Sequence, residues 1–213
     1  MDITARSGAV ILLLGVPTSI ALVNIGILLI LTGWFLSGRW RWKLEVIRRH
    51  PITLPALLLS ALVLIGITYT DAPKAYINHH LYVYSKLPLM LMLLTLFHDP
   101  RWQRRGLLAF AVGSVITVVS TYANIWFQVP WSDSHNQGFG VSHHVFNDYI
   151  AQGLAMSFFT ALALVIAIDA RNKTNRWAWV LVAAFTAFSI THLLQGRTGQ
   201  VVLLAMLCAL AWV

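Results

Sequence analysis

Gly106–Phe127 (GLLAFAVGSVITVVSTYANIWF) carries no charged residue. As a helix rising about 1.5 Å per residue, it reaches across a hydrocarbon core of about 30 Å. Directly before it stands the basic Asp99–Arg105 (DPRWQRR), and after it the polar Gln128–Tyr149. The same alternation of basic stretch, apolar span and polar stretch continues in both directions. Hydrophobic residues make up 58% of the 213 and charged ones 10%, against about 25% charged in an ordinary soluble domain. So little polar surface cannot cover a water-soluble fold. The reading is an all-α, polytopic transmembrane helix bundle forming a single domain over residues 1–213.

Toward the N-terminus, Leu87–Phe97 is a short apolar run that Leu81–Tyr84 extends, and Pro51–Tyr69 is a span of about membrane length. Ala9–Leu36 is apolar for 28 residues, interrupted at Gly15-Val16-Pro17-Thr18-Ser19. One helix of that length would reach about 42 Å. It is therefore either one tilted, kinked span or two short helices turning at Pro17, and the hairpin is the preferred reading. The hairpin gives eight spans and a cytoplasmic N-terminus, whereas a single first span gives seven. Toward the C-terminus come Ile150–Ile168, Ala178–Leu194 and Val201–Val213. The last is too short to cross and has no basic stop, so the chain is expected to be the N-terminal part of a longer protein.

The net charge of +8 suggests nucleic acid until the charges are mapped. Arg39–His50, Asp99–Arg105 and Asp169–Trp177 hold five, three and three of the fifteen Lys and Arg. The alternate loops hold only Lys74, Lys86 and Arg197, with Arg6 at the N-terminus. Basic loops stay cytoplasmic, so the charge is a topology signal and the nucleic-acid reading falls away. Trp34, Trp40, Trp42, Trp102, Trp126, Trp131, Trp177 and Trp179 all sit near span ends, where interfacial rings belong. The single cysteine, Cys208, can form no intrachain disulfide.

Two outer stretches carry the chemistry. Gln195-Gly196-Arg197-Thr198-Gly199-Gln200 breaks the apolar runs on either side. A cation so close to hydrocarbon marks a functional site by default, although a loop arginine reaching lipid headgroups fits the position equally well. Its planar fork suits phosphate oxygens. Gly196 and Gly199 allow close backbone approach, and a helix starting near Val201 would turn free amides toward the same anion. The other stretch, QVPWSDSHNQGFGVSHHVFNDY, holds Asp133, His135, His143, His144, Asn147 and Asp148, with Gly138 and Gly140. His79 and His80 lie in another outer loop, and His192 one turn before the arginine. These residues are a polar pocket for a hydroxylated or phosphorylated substrate, or plain interfacial residues beside aromatics. His144 and Asp148 could ligate metal if helical, but no HExxH-like pattern or cysteine partner accompanies them and no metal site is expected. Lys86, at the outer mouth of a span, is a lesser candidate for phosphate contact, or a snorkelling lysine.

GRTGQVVLLAMLCAL, beginning at Gly196, resembles the arginine motif of the O-antigen ligase and polymerase superfamily. Gly138–Leu164 (GFGVSHHVFNDYIAQGLAMSFFTALAL) is similar to the loop-then-span segment of the ligases, and VPTSIALVNIGILLIL to their Pro-Ser start. Gln195-Gly196 stands where a serine is more usual. The resemblance implies a fold like that of the GT-C glycosyltransferases, in the bacterial inner membrane with the site facing the periplasm. It implies a metal-independent, inverting transfer of polysaccharide from undecaprenyl pyrophosphate to lipid A–core, without a cofactor. Arg197 would be the catalytic residue, holding and stabilising the leaving pyrophosphate, with Arg197, His143, His144, Lys86 and His192 as substrate-binding candidates. The resemblance also implies a general base in a loop beyond residue 213. O-antigen polymerase and protein O-oligosaccharyltransferase share the arginine motif. A transporter or flippase, a different class, would place paired ionisable groups within the spans. Here the spans hold mainly Asn24, Asn124, Gln152 and His192.

Overall fold

A computed structural model describes residues 2–132, 134, 138 and 141–212. Every regular element among them is helical: α1 Asp2–Thr18, α2 Ile20–Leu36, α3 Trp40–Arg49, α4 Thr53–Tyr69, α5 Lys74–Tyr84, α6 Lys86–Leu96, α7 Pro100–Trp126, α8 Tyr149–Asp169, α9 Lys173–Phe188 and α10 Arg197–Trp212. A five-residue π turn, Ser189–Leu193, continues α9. Among the described residues, α7, α8 and Lys173–Leu193 are long and apolar enough to cross a membrane. A fourth span is added if α2 and α3 count as one bent element, and α1, α4 and α10 are shorter apolar helices. The chain is a helical membrane protein built as two compact units.

Unit 1 comprises residues 1–9 and 27–104. The end of α2 packs on the start of α1 so closely that a Cβ on Gly33 would lie 2.6 Å from the Ala5 nitrogen. The indole N–H of buried Trp34 donates to Thr95 Oγ1 at 2.9 Å, tying α2 to α6. Arg39–His50, expected as a basic loop, is instead mostly the helix α3. Gly38 and Arg39 both take left-handed φ values of 64° and 54°, and the chain turns by 119° between α2 and α3. Lys43 is buried under this corner. Its ammonium donates to the Trp34 carbonyl and to Ser37 Oγ (2.7 Å), with the Trp34 and Trp40 rings 4.4 and 5.0 Å away. A buried ammonium is tolerable only with such partners. The extended run over Leu81–Phe97 is likewise broken, at Ser85, into α5 and α6. The arginines of Asp99–Arg105 form the first turns of α7, not a loop.

Unit 2 comprises residues 10–26 and 105–213. The chain reverses at Ser19: a Cβ on Gly15 would lie 2.7 Å from the Val23 nitrogen, so the preferred hairpin at Pro17 forms with α1 running on to Thr18. Pro17 is admitted near a helix end, where its carbonyl finds an external donor, Thr117 Oγ1 at 2.7 Å. One face of α7 is buried and small or hydroxylated: Gly113, Ser114, Thr117, Ser120, Thr121 and Asn124. Between helices in lipid, such residues let backbones approach and bond across the gap. α8 lies against both α9 and α10. The apolar centre is Ala155, Met156, Ile190 and Leu203, with Phe110, Val118 and Ala187 around it.

Candidate functional site

The polar stretch before α8 is tied to the helices of unit 2 by side-chain amides, of which Asn124 and Gln152 are buried. Asn124 Oδ1 accepts the Val129 N–H at 3.1 Å, and its Nδ2 donates to Ser132 Oγ at 2.5 Å. Gln152 accepts the Val145 N–H at 2.8 Å and donates to Thr121 Oγ1 at 2.9 Å. Asn147 Nδ2 donates to the Val16 carbonyl at 3.1 Å. Unpaired amides at these depths would be costly, so their presence in apolar spans was the signal that something polar meets them. Sequence reasoning named Asn124 and Gln152 but not this role.

His143 sits inside that lattice. It has no exposed surface; its N–H donates to the Leu193 carbonyl at 2.8 Å and its ring Nε2 to the Gly138 carbonyl at 2.6 Å. Nδ1 is buried without a partner among the described residues. The ring is a strut of the loop, not part of its surface. His144 is half-buried, 3.3 Å from Ser142 Oγ and edge-on to Tyr149. The helical spacing that would pair His144 with Asp148 is not realised. Asp148 is the N-cap of α8, accepting from Ile150 and Ala151 N–H at 2.8 and 2.9 Å, as short acidic residues do at helix starts. Asp133, His135 and Gly140 lie outside the described residues.

The arginine break is shorter than expected. α9 loses its regular pitch at Ser189, widens into the π turn, and the Leu194 N–H closes it on the Ser189 carbonyl at 3.0 Å. Single π turns concentrate at functional positions because they re-aim the side chains that follow. His192, exposed on this turn, stacks on Phe188 at 4.3 Å with Nδ1 2.7 Å from Thr191 Oγ1. Only Leu194–Gly196 separate the turn from α10, which starts at Arg197 rather than near Val201.

Arg197 therefore stands in the first turn of α10. It is exposed, with no hydrogen-bond or ion-pair partner among the described residues. Its charge adds to the free N–H groups of that turn, and the combination favours an anion. The two glycines do different work from the close ligand approach expected of them. A Cβ on Gly196 would meet the Tyr149 carbonyl oxygen at 3.1 Å, and one on Gly199 the Gly153 Cα at 2.9 Å. Ser157 Oγ donates to the Gly199 carbonyl at 2.8 Å. The glycines press the start of α10 against α8 and leave Arg197 on the open side. Lys86 belongs to unit 1, exposed at the start of α6 with its ammonium 5.6 Å from the Tyr82 ring centre. His79 and His80 are ring neighbours on α5, which has no buried residue. Among the described residues no cluster of three or more His, Cys, Asp or Glu has metal-holding geometry.

Comparison with protein-family models, curated proteins and solved structures gives no match.

Proposed function

We propose that the chain is a lipid-carrier-dependent glycosyltransferase of the O-antigen ligase type, moving polysaccharide from undecaprenyl pyrophosphate to lipid A–core. The observation that carries the reading is Arg197: an exposed guanidinium without a protein partner among the described residues, in the first turn of a helix, between the membrane-length Lys173–Leu193 and the shorter apolar α10. A fork of that kind holds a pyrophosphate bidentately and offsets the negative charge that grows on it as the glycosyl bond breaks. In this reading His192 and His144 offer ring donors to sugar hydroxyls, and Lys86 is a separate candidate for phosphate contact. In this proposal the shorter apolar helices also insert. The bundle then has seven or eight crossings and resembles the GT-C architecture, with Arg197 on the periplasmic side of the inner membrane. The distribution of basic residues supports that orientation. The buried polar groups of α7 and α8 are hydroxyls and amides, mostly bonded within the protein, which favours transfer over ion-coupled transport.

The test is complementation of a ligase-deficient strain with the full-length gene, comparing wild type with Arg197→Ala at matched expression. Wild type is expected to restore the lipopolysaccharide ladder, and the variant to show bare core while carrier-linked polymer accumulates. Failure of wild type to complement refutes the ligase assignment. A variant that matches wild type refutes the role of Arg197.

A further inference from the structure

The corner at Gly38-Arg39 turns α3 by 119° away from the direction of the apolar α2. A helix leaving a span at such an angle runs along the membrane surface, and α3 has the composition for it. Arg41, Glu45, Arg48 and Arg49 form one face, while Trp40, Trp42 and Leu44 are exposed beside it. Between α3 and the residue before Asp99 is a cavity of about 400 Å³. Trp42, Val46 and Pro51 supply apolar wall, and Arg49, His50 and His98 supply nitrogen donors. The Trp42 ring meets His98 edge-on at 5.8 Å. Glu45 also lines the cavity and Asp99 follows His98, and each acid has its own cation. Glu45 accepts from Arg49 Nη2 one helical turn away, and Asp99 lies 3.5 Å from Arg6. Glu45 engages one nitrogen of a group with five N–H donors, so Arg49 keeps donors for a second acceptor.

We propose that this cavity binds the phosphodiester headgroup of an anionic phospholipid, with Arg49, His50 and His98 on the phosphate. Trp42, Val46 and Pro51 pack on its glycerol and upper chain. The excess of arginine over glutamate on the exposed face of α3 (Arg41, Arg48 and Arg49 against Glu45) selects the anionic headgroup, and the apolar wall beside exposed Trp40 and Leu44 selects a lipid over free phosphate. The basic stretch is then more than a topology determinant, because a folded site within it discriminates lipids. The inference is independent of the transferase reading, since unit 1 alone supplies every residue.

The experiment is native mass spectrometry of the full-length protein in detergent, titrated with dioleoyl-phosphatidylglycerol and dioleoyl-phosphatidylcholine. Wild type is expected to retain phosphatidylglycerol preferentially. Arg49→Gln with His98→Gln should cut that preference about fivefold, the scale of one near-surface cation. Val46→Trp fills the cavity without altering charge and should give the same loss. A control, Arg171→Gln with Lys173→Gln, removes at least as much charge from exposed positions elsewhere and should leave the preference intact. Melting temperatures equal to wild type establish that each variant is folded. An unchanged preference in the pocket variants, or an equal loss in the control, overturns the proposal. Displacement of the lipid by millimolar inorganic phosphate would assign the site to free phosphate and overturns it as well.

Discussion

Gly199→Ala tests the claim that the glycines of the arginine motif serve helix packing. The added Cβ would lie 2.9 Å from the Gly153 Cα, 3.1 Å from its carbonyl carbon and 3.3 Å from its oxygen. All three are backbone atoms, so no side chain can swing aside and the helices themselves must part. Overpacking of this kind costs about 1–3 kcal/mol. Separation also stretches the 2.8 Å bond from Ser157 Oγ to the Gly199 carbonyl, which contributes roughly 0.5–1.5 kcal/mol. Replacing glycine by alanine in a helix returns up to about 1 kcal/mol. The expected net loss is about 1–3 kcal/mol. Gly153→Ala is the internal comparison: its Cβ would meet only the Gly199 Cα at 3.3 Å and nitrogen at 3.8 Å. There the helix-propensity gain of about 1 kcal/mol nearly cancels the crowding. Equilibrium unfolding by SDS titration in mixed micelles measures both. Equal stability of the two variants, or a reversed order, would refute the packing argument and return Gly199 to the role of admitting a ligand.

Gln152→Leu removes the acceptor of the Val145 N–H, leaving a buried donor unpaired at a cost of about 1–3 kcal/mol. Limited proteolysis should then cut between residues 128 and 148 at least several times faster than in wild type, and unchanged protection counts against the anchoring role. Asp148→Ala deletes the cap that holds Ile150 and Ala151 N–H and should destabilise α8 by about 1 kcal/mol, with Asp148→Asn recovering most of it in the same SDS titration. Arg197→Ala should leave unfolding unchanged, because its side chain has no protein partner among the described residues, while abolishing ladder formation in the complementation assay. A stability loss there would mean that the arginine is structural.

Several elements are readable along the chain because their signal is one-dimensional. The uncharged Gly106–Phe127 and Ile150–Ile168 announce α7 and α8 by length and hydropathy alone. Pro17 beside Ser19 marks the reversal between α1 and α2, since proline cannot continue a helical hydrogen-bond ladder. The helix α3 escaped notice because dense positive charge reads as a solvated loop. Its helical character shows only when Lys43 is seen to be buried among Trp34, Ser37 and Trp40. The π turn is similarly silent in sequence, because widening a helix by one residue leaves no compositional trace.

At the candidate site the division is the same. Composition and the placement of fifteen Lys and Arg establish an all-helical membrane protein. They also single out Arg197 as a cation at the edge of an apolar run, because burial of charge is expensive wherever the fold puts it. The tertiary structure decides what surrounds it. His143 becomes an internal strut, and Asp148 a helix cap in place of a ligand. Gly196 and Gly199 become contacts with Tyr149 and Gly153. The cap is local, but the roles of His143, Gly196 and Gly199 depend on Leu193, Tyr149 and Gly153, tens of positions away, and contacts of that kind arise only when the helices pack.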